Sequence, residues 1–237
     1  MKLGRRLQQL SDHVSRPYTH IWDCCCDHGL LGMDLLQRKM ADTVHFVDIV
    51  PSLMAQVETQ LHLHFPGESS NWCIYCMDVA HAPFVLDSQH DLDILIIIAG
   101  VGGDLMVELL KAISAKYPDI ACEFLLCPVH HQNKVRQTLI DLEFGLLAET
   151  LVEENGRYYE ILHVTKSAYQ PLSLIGSQMW DLSRQQDQNY LAKVVQHYQR
   201  KALRSELEQR ALEAYLALKQ TAEKQESQSR SSANLLV

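Results

Sequence analysis

The stretch His20–Leu36, HIWDCCCDHGLLGMDLL, reads as a short buried strand, a sharp acidic turn and the start of a helix. Apolar Ile21 and Trp22 lead to Asp23, three cysteines follow, and Asp27, His28 and Gly29 open an apolar-periodic segment carried by Leu30, Leu31, Met33, Leu35 and Leu36. In an open parallel sheet, ligands lie beyond the carboxyl ends of the strands, where carboxylates hydrogen-bond ribose or amino groups. Asp23 and Asp27 stand in that position.

The same alternation continues outward. Upstream, Leu3, Leu7, Leu10 and Val14 recur at helical spacing until Arg16-Pro17 stops the helix. Downstream, TVHFVD (43–48) is a second strand closing on Asp48, and Pro51 opens a helix through about His64. A carboxylate at that point, roughly 20 residues past the first loop, is where such folds bind a ribose diol. A third strand, Trp72–Met77, ends on Asp78, and a fourth, Leu92–Gly100, is apolar on both faces like a central parallel strand. Ala99–Gly103, AGVGG, turns into a helix of Leu105, Met106, Leu109, Leu110 and Ile113, and its glycines permit close backbone approach to a ligand or another helix. Strand five, Cys122–Pro128, precedes a helix with Val135, Leu139, Ile140 and Leu142. Then Leu146–Glu153 and Arg157–Thr165 flank Glu154-Asn155-Gly156, and Asn-Gly between strands signals a hairpin. A dinucleotide dehydrogenase keeps its strands parallel. This antiparallel ending instead resembles the class I S-adenosylmethionine-dependent methyltransferase fold: an α/β, Rossmann-like, seven-stranded sheet.

The 237 residues, 47% of them apolar, exceed what one such domain needs. We expect a cofactor-binding domain over 1–165, a coiled-coil-like helical domain over 166–225 and a disordered tail over 226–237. In the helical part, Leu191, Val194, Val195, Tyr198 and Ala202 form one stripe, and Leu207, Ala211, Leu212, Tyr215 and Leu218 another. Ser205-x-x-Glu208 is a capping-box pattern that would divide the segment into two antiparallel helices, against one long helix.

No apolar run reaches the length of a membrane span, and MKLGRRLQQLSDHVSR lacks a signal-peptide core, so a soluble cytoplasmic protein without a membrane partner is expected. Seven cysteines without a small disulfide-rich layout fit a reducing compartment. Cys24–Cys26, Cys73-x-x-Cys76 and His62/His64 are spaced so that their side chains diverge, and no metal is expected. The net charge of −8 divides unevenly: from Thr165 onward ten Lys and Arg face seven Asp and Glu, and before it eleven face twenty-two. The basic tail, with Arg184, Lys193, Arg200, Lys201 and Arg204, and the N-terminal Lys2, Arg5, Arg6 and Arg16 are the available basic surfaces.

RLQQLSDHV, WDCCCDHGLLG, IIIAGVGGDLM, LCP and LVEENGRYYEI, in that order across residues 5–165, are similar to the bacterial TrmK family. That family methylates N1 of adenine 22 of tRNA with S-adenosylmethionine and carries a C-terminal helical domain. The alternatives are a methyltransferase of another acceptor and a catalytically impaired RNA- or cofactor-binding homologue. The resemblance implies that Asp23, Cys25, Asp48, Ile49, Met77, Asp78 and Ala99 hold the cofactor, that Asp27, His28 and Gly100 serve the reaction, and that Val101, Gly102, Pro128 and His130 face the acceptor. A strand-end aspartate can equally cap a turn, and surface histidines usually have no role. Two departures stand out: the family usually has Gly where this chain has Cys25 and Ser or Thr at Cys26, and it often has Gln-Pro-Asn where this chain reads Cys127-Pro128-Val129. The tail reads as an RNA-gripping arm or as a homodimerisation or packing hairpin.

Overall fold

Five strands carry the parallel part of one sheet, each an apolar run closed by a polar turn: β1 (Tyr18–Cys24), β2 (Ala41–Asp48), β3 (Trp72–Cys76), β4 (Ile94–Ala99) and β5 (Cys122–Cys127). The structure is a computed structural model that describes residues 2–67, 69–84, 93–201 and 205–234; Leu92, Ala202 and Arg204 lie outside them. Alternating side chains of β4 explain its unbroken hydrophobicity. Ile94, Ile96 and Ile98 pack with α4 (Gly103–Lys116) and α5 (Gln132–Asp141), while Leu95 and Ile97 pack with α1 (Arg5–His13) and α2 (Leu30–Gln37). Each such fully buried side chain contributes roughly 1.5–3 kcal/mol. A third cluster seats α3 (Pro51–His64) on β2 through Met54, Val57 and Leu61 against Val44 and Phe46.

The sheet order is β3-β2-β1-β4-β5-β7-β6-β8, with β6 (Gly145–Glu154), β7 (Arg157–Thr165) and β8 (Gln170–Pro171) antiparallel to their neighbours. The order reverses between β1 and β4, which opens a crevice beyond their carboxyl ends. The sheet has eight strands, where the sequence suggests seven. A two-residue strand carries no periodicity, and the proline in β8 argues against a strand when read alone. Beneath the hairpin, Arg136 of α5 is fully buried between Glu149 (2.8 Å) and Glu160 (2.7 Å), a triad that ties helix to strands.

Two compact units divide the chain, Met1–Leu172 and Ser173–Val237. The second holds α6 (Gln185–Lys201) and α7 (Glu206–Asn234), so the helical segment is two helices. Their stripes pack on each other through Leu191, Val195, Tyr198, Ala211 and Tyr215, with Tyr198 stacked on Tyr215 at 5.6 Å. The Ser205 hydroxyl accepts a bond from the Glu208 N–H (3.2 Å), the expected capping contact. α7 runs on to Asn234, into the segment expected to be disordered. That stretch has no Gly or Pro, and extending an established helix costs little. Arg184 belongs to the local architecture, pairing with Asp187 at 2.8 Å and Asp181 at 3.5 Å; like it, Lys193 and Arg200 are exposed. Among the described residues no helix is long and apolar enough to cross a membrane.

Candidate active site

The turn after β1 is wound tightly: Cys25 (φ 55°), Asp27 (φ 52°) and Gly29 (φ 67°) are all left-handed. Cysteine thus occupies the conformation that glycine takes freely, at a cost of about 1 kcal/mol. Backbone bonds hold it there, from Cys26 N–H to the Val47 carbonyl (3.2 Å) and from Gly29 N–H to the Cys26 carbonyl (2.8 Å).

Two buried carboxylates brace this turn. Asp23 is 4% exposed and accepts the Gly32 N–H at 2.9 Å. Only glycine fits at position 32, because a Cβ would come within 2.4 Å of the Phe46 ring and 2.9 Å of that carboxylate. Burial, and secondarily the nearby Asp48, push the Asp23 carboxyl up to about 7. Asp48 reaches across from β2, its two oxygens accepting Asp27 N–H and Val50 N–H, each at 3.1 Å. The thiols are held protonated: burial, then Asp48, Asp23 and Asp78, push Cys25 up to about 12, and Cys24 and Cys26 rise as well.

Opposite lies the loop after β4. Gly100 (φ 81°) turns the chain, and three bonds join this loop to the end of β5. They run from Gly100 N–H to the Cys127 carbonyl (3.2 Å), from Val129 N–H to the Val101 carbonyl (2.9 Å) and from Gly103 N–H to the His130 carbonyl (3.0 Å). His130 packs on Gly102, and His131 and Lys134 each bond Asp104 at 2.7 Å.

Between the two loops is a cavity of about 360 Å³. Asp23, Cys25, Asp27, His28 and Asp48 line one side, and Ala99, Gly100 and Val101 the other. Ile49, Met77, Asp78, Gly102, Pro128 and His130 are not part of its wall. Ile49 is 66% exposed, and the Met77 N–H bonds the Asp48 carbonyl at 3.0 Å. Asp78 spends one oxygen capping the 3₁₀ turn Val79–His81 through Ala80 N–H at 2.9 Å. Pro128 is buried, and His130 is exposed behind Gly102. Wall residues that sequence reasoning passed over are Arg6, Leu7, Cys26, Val50 and Leu53. Arg6 reads from sequence as part of a basic surface, yet it lines the cavity, and Arg16 is taken up by Asp93 and Glu123. An open groove of about 600 Å³ adjoins through His28 and Leu30, walled by Met33, Gln56, Thr59 and Gln60.

Acidic strand ends around a switch-point cavity suit a nucleoside-bearing ligand. The methyltransferase-domain family matches residues 3–162. The chain belongs to that family. A Mycoplasma pneumoniae protein named as a tRNA methyltransferase is 28% identical over 159 residues, covering 67% of this chain and 68% of its own. The B. subtilis M1A22 tRNA methyltransferase TrmK superposes with a TM-score of 0.68 at 20% identity, covering 94% of this chain and 98% of its own. M. capricolum TrmK, solved with S-adenosylhomocysteine, superposes with a TM-score of 0.68 at 16% identity, covering 94% and 97%. At those identities the two structures speak for the methyltransferase fold, antiparallel end included.

Proposed function

We propose that the protein transfers a methyl group from S-adenosylmethionine to N1 of adenine 22 of tRNA. The single observation behind the donor is the charge of the cavity. Asp23, Asp27 and Asp48 share it with one guanidinium, and a ligand bearing a sulfonium and an ammonium group matches that excess. The acceptor draws its support from the names of the Mycoplasma pneumoniae and B. subtilis relatives. A tRNA acceptor also goes with a cytoplasmic site of action.

The donor supplies an electrophilic methyl carbon: the adenine N1 lone pair forms the new C–N bond while the C–S bond breaks, its electron pair leaving on sulfur. N1 needs no prior deprotonation, so the protein's work is alignment and exclusion of water. Asp48 retains lone pairs beyond its two backbone bonds and is assigned to the ribose hydroxyls. Asp23 holds the first loop through Gly32, and Asp78 is assigned to the adenine amino group of the donor. Asp27 and His28 on one side and the Ala99–Val101 backbone on the other frame the acceptor base, whose N6 proton can be shed after the transfer has made it cationic. The Watson–Crick edge is hidden in a duplex, so the base must enter looped out. Exposed Lys193 and Arg200 are the candidates for phosphate contact.

Methyl transfer to paired tRNA transcripts with adenine or guanine at position 22 tests this reading. Label confined to the adenine transcript and mapped to 1-methyladenosine is expected; equal labelling of both would overturn the acceptor.

A further inference from the structure

We infer that Arg6 binds the carboxylate of the donor's amino-acid end; this rests on the S-adenosylmethionine reading above. Arg6 and Arg136 are the two arginines whose side chains are not exposed among the described residues. Arg136 grips two glutamates. Arg6 forms no ion pair among the described residues, although it lines a cavity that contains three aspartates.

Its placement is built. The guanidinium lies over the Tyr159 ring, 5.1 Å from the centroid, near the Cys127 thiol. Its Nη1 lies 3.6 Å from where a side chain at Gly100 would begin, so the glycine leaves its face clear. Its Nε is buried without a hydrogen-bond partner, a donor that costs free energy until something accepts from it. The helix carrying it is fixed by the hairpin tip: Glu154 accepts the Arg6 backbone N–H at 3.2 Å.

The order of strand ends gives the ligand its direction. Asp48 closes β2 on one side of the first loop, and Arg6 sits beside the ends of β4, β5 and β7 on the other. A donor with its ribose at Asp48 that crosses the Asp23 loop presents its amino-acid end to Arg6. Every other formally charged wall residue is acidic, which suits the sulfonium and ammonium but leaves the carboxylate without a counter-charge. A planar guanidinium with parallel N–H groups supplies one. An RNA phosphate is the weaker match, because Arg6 is held among Leu7 and Leu31 within the wall. An adenine that becomes cationic on methylation would also gain nothing from a cation at its reacting edge.

Calorimetry on the full chain with S-adenosylhomocysteine and with 5′-methylthioadenosine, the same thioether without the amino-acid end, separates the outcomes. Arg6→Met should weaken S-adenosylhomocysteine about 10- to 100-fold and leave 5′-methylthioadenosine within about twofold, with Arg6→Lys in between. Retained binding of the truncated ligand doubles as the control for folding. Equal losses for both ligands, or no loss for either with a raised KM for tRNA instead, would overturn the assignment and leave the donor standing. If the unaltered protein binds neither ligand, the donor reading itself fails.

Discussion

The two ends of one sheet treat their acidic residues in opposite ways. At the amino end of the strands, Glu123 of β5 accepts from the Tyr18 hydroxyl (2.6 Å) and Arg16 (2.8 Å) and bonds His163 (2.6 Å). Burial alone would raise this carboxyl, but the bonds to His163, Tyr18 and Arg16 pull it down to about 2. At the carboxyl end, Asp23 and Asp48 receive backbone N–H groups and, among the described residues, no cation. Burial therefore goes unopposed by any paired charge, and Asp23 stands at about 7. Side chains neutralise one end, and at the other the aspartates line the cavity.

Four variants sharpen or break that contrast. The largest effect belongs to Glu123→Gln, which leaves Arg16 and His163 without their carboxylate. It should cost about 2–3 kcal/mol of stability in chemical denaturation while leaving donor affinity unchanged. A matching loss of affinity would mean that the two ends are coupled. Asp48→Ala comes next, weakening donor binding by about 1–3 kcal/mol in calorimetry through a lost buried hydrogen bond. Unchanged affinity would remove Asp48 from the site.

Asp23→Asn should act on stability with the opposite sign, by about 1–2 kcal/mol above pH 7. The folded-state pKa of Asp23 is raised, so its favourable contribution is full below the ordinary aspartate value near 4 and is lost as pH rises through about 7. The asparagine variant should therefore be the more stable protein at pH 8 and show a flatter profile between pH 4 and 7. Glu123 is depressed, so its contribution is present above pH 4.5 and is lost as pH falls toward 2. Thermal unfolding across that range reads both limbs, and a single shared limb would contradict the contrast. The smallest effect is expected for Cys25→Gly, a gain of up to about 1 kcal/mol from relief of the left-handed turn, offset in part by the unfolded chain's added freedom. Equilibrium unfolding would show it, and a clear loss of stability would mean that the Cys25 side chain contributes more by packing than its backbone costs.

Much of the fold was legible because an apolar run announces where a strand ends and a parallel sheet brings those ends to one rim. Asp23, Asp48 and the Ala99–Val101 turn meet around the cavity for that reason. Ile49 and Met77 do not share in it: Ile49 is turned out to solvent, and the Met77 backbone is spent on the Asp48 carbonyl. Asp78 shows that a strand-end aspartate can also cap a turn, which takes up one of its two oxygens. Arg6 and Arg136 were illegible for a different reason. Each is an arginine on a helix, and its direction is decided by what that helix docks against, which no local pattern records.

The clasp between Glu154 and the start of α1 joins positions 148 residues apart. One wall of the cavity is therefore secured by a segment synthesised long after it. A nascent chain leaving the ribosome carries every aspartate of the rim before it carries the clasp, so that wall is completed only after translation has passed the hairpin.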